Sequence, residues 1–423
     1  MEVDAGHNAL GRVAVVVDNY PCLSESFVRR ELARLKACGF TVAVVACGPA
    51  RDGASLLREP REVVFRPNAA GRAAWLRRGM EALKDLRRAV PLFPRRPRGL
   101  AAAGRAALIT SALRPTLKRW KPDWLHAHFA GMPAAVACLL SERLDVPFSI
   151  SVHARDIFVP VARLASLCAR ARFVTACSEY AQASLMGRLP PELAERVVHF
   201  PHDVPCGSTV PWHDAHDDTL RILSVCRLVP KKGIDVVLRA LALLRGEVRF
   251  RHRIVGDGPE RGRLSALAVE LGLDAVEFVG ALRPEEVSAE LARSDIFVLG
   301  VRTASDGDRD GIPNVVLEAM AAGVPVIVSD GGAVSEVVGH RRTGWLTPPN
   351  DPRALAEAIR EAASDGDLRR RIAANAHSEV RRRFSSERPS DPLAMRLIRE
   401  ITRADLARRA DDPPRAFGLR RRG

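Results

Sequence analysis

No stretch of the 423-residue chain approaches the ~20 consecutive apolar residues that a membrane-spanning helix needs; runs such as 132–140 stop far short. A bilayer-crossing helix is therefore not expected. Eight cysteines include no Cys-x-x-Cys pair, and Cys138, Cys177 and Cys226 lie inside apolar segments. That pattern argues against a disulfide frame or a zinc site and for small buried side chains in a reducing compartment. The opening MEVDAGHNAL lacks the basic start and apolar core of a secretion signal, so a cytoplasmic protein is expected. No glycine-rich phosphate loop follows the first strand-like run at 12–17, which speaks against a dinucleotide-binding first half. Aromatics make up 5% of the chain, and neither an aromatic-interleaved basic platform nor a helix-turn-helix pattern is visible, so nucleic acid is not expected as a partner.

What is present is positive charge, unevenly placed. The net charge is +15, and residues 72–121 hold 14 Lys/Arg against Glu81 and Asp85. The segment reads either as a solvated basic face or as a surface for anionic lipid headgroups or a phosphate-bearing acceptor. Trp75, Leu76, Met80, Leu83 and Val90 set an apolar stripe among its arginines.

Elsewhere short β-branched runs alternate with helical patterns, the signature of parallel α/β sheets. The runs at 12–17 and 41–46 flank a helix that Ser24 is placed to cap, with Phe27, Leu32 and Leu35 on its inner face. Further strands are expected at 124–127, 148–152, 173–177 and 197–200, and a fresh series opens at 220–225. Periodicity breaks down from His202 to Asp217. The length suits two domains: 1–204, a linker at 205–218, and 219–388, followed by a helix at 389–412 and a basic tail at 413–423 containing Arg420, Arg421 and Arg422.

One stretch concentrates the chemistry. In DGIPNVVLEAMAAGVPVIVSD (310–330), Asp310-Gly311 suits a turn, Pro313 suits the first helical position, Gly323 a left-handed cap, and 324–328 a buried strand. Amides of Gly311, Ile312, Asn314, Val315 and Val316 around Pro313 would attract an anion such as a diphosphate. Asp310 and Glu318 would flank it, although the same residues also read as a turn acid and a surface helix acid. Arg227, Lys231 and Lys232 form a second anion-binding candidate in a strand-loop-helix. Gly256, Gly258 and Gly262 are spaced one residue too long for a dinucleotide fingerprint, and Gly256 reads equally as a tight turn or as a ligand contact. His126, His128 and His153 fall at strand ends. The spacing His126-x-His128 is read as alternating faces, against a joint metal role.

The 310–318 segment resembles the Glu-x7-Glu region of retaining glycosyltransferases of family 4, with Asp at the first position, and YPCLSESFVRREL resembles the exopolysaccharide-building subgroup, colanic-acid-type enzymes included. The resemblance implies a GT-B fold, two Rossmann-like domains facing a cleft, with a tail helix crossing back to the first. It implies ribose binding by Glu318 and donor-sugar contact by Asp310. Arg227 and Lys232 would neutralise the leaving diphosphate, with Lys231 facing solvent, and the backbone at Val279-Gly280 would lie against the base. His153 would line the donor-sugar pocket, oriented by Asp156. No metal or other cofactor is implied; Asp306-x-Asp308 merely matches the metal string of the other glycosyltransferase architecture. The implied reaction passes a hexosyl unit from a UDP- or GDP-sugar to a hydroxyl of a saccharide, lipid-linked or small-molecule acceptor, with retention. A nucleotide-sugar 2-epimerase on the same fold, or a basic lipid- or nucleic-acid-binding protein without catalysis, are the alternatives.

Overall fold

A computed structural model describes residues 10–50, 63–67, 72–159, 164–207, 219–388 and 391–411, with 72–80 and 405–411 as backbone alone. The first half builds a seven-stranded parallel sheet from β1 (Arg12–Val17), β2 (Thr41–Ala46), β3 (Val63–Phe65), β4 (Trp124–His128), β5 (Phe148–Val152), β6 (Val174–Ala176) and β7 (Val197–His199), in the order β3-β2-β1-β4-β5-β6-β7. The second half builds a six-stranded parallel sheet from β8 (Leu220–Val225), β9 (Phe250–Val255), β10 (Val276–Gly280), β11 (Ile296–Leu299), β12 (Val326–Ser329) and β13 (Trp345–Thr347), ordered β10-β9-β8-β11-β12-β13. The strands are apolar on both faces because helices cover both: Val13 to Val17 and Ile296 to Leu299 are wholly inaccessible. In each sheet the order reverses at one point, between β1 and β4 and between β8 and β11. Strand carboxyl ends at such a reversal open a crevice.

Most expected elements appear with shifted ends. Ser24 lies in a 3-10 turn (Leu23–Glu25), and the helix itself is Ser26–Ala37. Pro313 is the extended residue before the helix Asn314–Ala321 rather than its first turn, and Gly323 takes the left-handed conformation, φ 73°, just past the end. The helix Pro392–Asp411 returns to the first sheet, where Leu393, Leu397 and Ile401 share a core with Val13, Val15 and Trp124. The two chain crossings pair with each other: Val204 N–H donates to Phe384 O at 2.9 Å, and Ser386 N–H to Val204 O at 2.9 Å. Of the expected linker only 205–207 is described, and the tail 413–423 lies outside the described residues. So do the side chains of Trp75, Leu76 and Met80.

Candidate functional site

From the second sheet, the turn after β8 sets the cations. Pro230–Lys232 is a 3-10 turn closed by Gly233 at φ +59°, where a Cβ would fall 1.7 Å from the Gly300 carbonyl at the end of β11. That close approach presses both lysines onto the loop after β11. Lys232 Nζ meets Asp310 Oδ2 at 2.6 Å; Lys231 Nζ meets Asp308 Oδ1 at 3.1 Å and Asp310 Oδ1 at 3.2 Å. The expectation that Lys231 faces solvent is thus corrected: its side chain is 17% exposed and turned inward onto two acids. Burial alone would raise the Asp310 carboxyl, but the Lys232 and Lys231 charges outweigh it and hold it below its usual range. Arg227 is exposed, with no ion pair among the described residues.

Asp308 also accepts Arg155 Nη1 at 3.1 Å from the opposite sheet's side of the cleft. Beyond it the chain runs through buried Gly311 and Pro313, with Ile312, Asn314 and Val315 half-buried. The expected row of open amides is shorter than read, because Val316 N–H already donates to Pro313 O at 2.9 Å. Glu318 points into the cleft, where Arg30 Nη1 of the first domain lies 2.9 Å from its Oε1. Arg30 Nε and Nη2 are buried there with no partner. Gly256 has a packing reason: at φ +128° its missing Cβ leaves room for the Cys226 carbonyl, 1.8 Å from where that carbon would sit. Val279 rests half-buried against the second core.

From the first sheet, His153 follows directly on β5, and its N–H donates to Asp156 Oδ2 at 2.9 Å. Burial lifts the Asp156 carboxyl to about 6 and drives the His153 imidazole well below its usual value. The reading of His126 and His128 on opposite faces is overturned. Residues two apart on a strand share a face, and both rings turn toward Glu31, at 3.6 and 3.0 Å from its Oε1. Burial would raise Glu31, but His128 foremost, with His126 and His202, brings it down to about 2. His202, placed by sequence at the start of the linker, belongs to the site: it stacks on Phe27 at 4.4 Å and its Nδ1 lies 3.0 Å from Asn314 Oδ1. Sequence reading missed Arg30, Glu31 and His202. Arg30 and Glu31 stand in a charged run, RREL, that looks like a solvated helix face.

Residues 24–202 match the family model described as Glycosyltransferase Family 4, and residues 212–379 match the one described as Glycosyl transferases group 1. The chain is 37% identical over 181 residues to the putative colanic acid biosynthesis glycosyltransferase WcaL of Salmonella typhimurium, covering 42% of this chain and 45% of that one. It is 32% identical over 232 residues to a GDP-mannose-dependent alpha-(1-6)-phosphatidylinositol monomannoside mannosyltransferase of Mycolicibacterium smegmatis, covering 51% of this chain and 60% of that one. The matches thus span less than two thirds of either relative. Anabaena HepE, solved in complex with UDP and glucose, superposes with a TM-score of 0.66 at 19% identity over 94% of this chain and 99% of that one. That likeness shows the fold, two Rossmann-like domains in the GT-B arrangement.

Proposed function

The chain belongs to the family 4, group 1 glycosyltransferases, and on that premise we propose that it moves a hexosyl unit from a UDP- or GDP-linked sugar to an acceptor hydroxyl in polysaccharide or glycoconjugate synthesis, with retention at the anomeric carbon. The observation that carries this reading is the set of Lys231, Lys232, Asp310 and Glu318 in the loops and helix after β8 and β11, met across the cleft by Arg30 on Glu318 and by His202, beside His153, on Asn314. Lys232, with Arg227 at the rim, would take the diphosphate. Its ammonium is held by Asp310 at 2.6 Å, so the incoming anion competes for a charge that is already oriented. Charge gathering on the departing diphosphate is then met by fixed cations and by the amides at Asn314 and Val315, an electrostatic contribution of several kcal/mol in a partly dry cleft. Glu318 would hold the ribose and Asp310 the sugar hydroxyls.

The site needs no metal in this reading. Asp308 is engaged by Lys231 and Arg155, and the cations that neutralise the leaving group are the protein's own. Asp308 and Asp310 are already paired with Lys231 and Lys232, which favours a front-side path in which the departing phosphate takes the acceptor proton. A saccharide or lipid-linked acceptor would enter from the first domain. The helices Arg72–Ala89 and Pro97–Trp120 suit an anionic membrane surface, since Leu83, Leu100 and Leu108 are 64%, 49% and 41% exposed among exposed Arg87, Arg88, Arg95, Arg96, Arg98 and Arg105. The helices of the described residues include none long and apolar enough to cross a membrane, so attachment would be peripheral.

The test is a panel of nucleotide sugars scored by thermal shift and by nucleotide release, for wild type, Lys232→Ala and Glu318→Ala. Lys232→Ala is expected to lose turnover, and Glu318→Ala to raise the donor KM about tenfold or more, the cost of one hydrogen bond to a charged group. Unchanged donor binding and turnover in both variants would remove the reading. Release of a free epimer from donor alone would redirect it to a 2-epimerase.

A further inference from the structure

Beneath His153 the side chains continue in a line to a carboxylate that the proposed reaction does not use. His153 Nε2 lies 3.3 Å from His128 Nδ1, and His128 Nε2 lies 3.0 Å from Glu31 Oε1. The three residues come from three elements: the helix after β1, the end of β4, and the residue just past β5. The two imidazoles overlap at 5.5 Å with an interplanar angle of 24°, and Phe27 packs on both, 5.8 Å from His128 and 4.8 Å from His153. Both rings are buried. His126 stands beside the line without forming a link, its Nδ1 2.7 Å from Ser149 Oγ and its Nε2 2.9 Å from Ser151 Oγ.

A carboxylate can only accept, so the proton between Glu31 and His128 belongs to His128 Nε2. A single proton then serves the bond between the rings. We infer that Glu31 and His128 are positioning residues for His153: the carboxylate fixes the proton on His128 Nε2, and His128 in turn fixes the rotation of the ring that meets the donor sugar. An imidazole ordered by an acceptor on its far nitrogen presents a defined near face to substrate. The inference deepens the transferase reading and rests on it for the role of His153. Glu31, His126 and His128 also offer ligand atoms within 4.8 Å of one another, but the nitrogens of both imidazoles already have hydrogen-bond partners, which favours the chain over a metal centre.

The experiment is a double-mutant cycle on UDP-glucose and GDP-mannose turnover, read as nucleotide release, with Tm measured for every variant. Glu31→Gln keeps the size of the side chain and removes its charge. It is expected to lower kcat by tenfold or more, toward the hundredfold that a small misplacement of a reacting group costs, with donor KM within twofold. Glu31→Asp should restore part of the loss. Glu31→Gln combined with His153→Ala should be no worse than His153→Ala alone, because Glu31 acts only through that ring. Full additivity of the two losses, or a folded Glu31→Gln with wild-type kcat, overturns the inference. If Glu31→Gln does not fold, His128→Asn carries the same cycle. If wild type turns over neither donor, the wider nucleotide-sugar panel decides the transferase reading, and the ring-nitrogen NMR signals decide the chain separately: a proton on His128 Nε2 supports it. A His128 protonated on Nδ1 alone, or stoichiometric zinc in the purified protein, overturns it.

Discussion

Asp310 illustrates how a residue's surroundings change what its substitution should do. It is 8% exposed and pairs with two ammonium groups, Lys232 at 2.6 Å and Lys231 at 3.2 Å, the latter shared with Asp308. Asp310→Asn frees Lys232 for a diphosphate, Lys231 keeping its pair with Asp308 at 3.1 Å, while removing the carboxylate proposed to hold sugar hydroxyls. UDP or GDP should bind Asp310→Asn as tightly as wild type or tighter by calorimetry, while turnover of the full donor falls. Weaker nucleotide binding would show that Asp310 is part of the diphosphate grip itself. Asp310, Glu318, Lys232 and His153 are singled out through the family resemblance, since locally each also reads as a turn acid, a helix-surface acid, a basic loop or a core histidine. Sequence could not show that Lys231 turns inward, since adjacent lysines on a 3-10 turn look equally exposed until Gly233 folds them under. His202 was hidden for a similar reason: a histidine among prolines and aspartates reads as linker until Phe27 stacks on it.

At the scale of elements, the β-branched runs made most strands legible, with ends moved by a residue or two, while the three-residue β3 and β13 offer no run long enough to mark them. The capping signals were less decisive. Ser24 had the right chemistry for a helix start, yet a 3-10 turn takes that position. The glycines fix the geometry of the loops more firmly than the polar residues do. Gly233 and Gly256 each let one loop's backbone touch a carbonyl of another, in conformations an L side chain avoids. Gly233→Ala should therefore destabilise the second domain by roughly 1–3 kcal/mol through overpacking, seen as a Tm several degrees lower. It should also weaken nucleotide binding, because Lys231 and Lys232 ride on that turn. An unchanged Tm would mean that the turn relaxes freely and does not hold the cations in place.

Across the whole molecule, the two domains touch through charges around the cleft. Arg30 reaches Glu318, Arg155 reaches Asp308, and Glu336 accepts the N–H groups of Glu179 and Tyr180 at 3.0 and 2.6 Å. These contacts join segments far apart in sequence, which is why the sequence implied two domains but not where they meet. The histidines at this junction also make stability depend on pH. Burial lowers His126 and His202 to about 4, below their usual 6.5. Between those values the unfolded chain binds protons that the folded one refuses, so stability rises with pH through that window and is lost as pH falls through it. Asp156, raised to about 6, opposes this, because its folded form keeps a proton that the unfolded form releases above 3.8. Two imidazoles outweigh one carboxyl, and Tm is expected to fall steadily from pH 7 to pH 5. A flat or rising Tm over that range would mean that the imidazoles are already charged in the folded protein.

The donor's proposed place is the crevice where the lysines after β8 and the acids after β11 face the first domain. A crystal structure of the protein soaked with UDP or GDP tests it most directly. The diphosphate should lie within hydrogen-bond distance of Lys232 and the Asn314 end of the helix, with the ribose on Glu318 in place of Arg30. Nucleotide density elsewhere, with the Lys232–Asp310 and Arg30–Glu318 pairs intact, would contradict it.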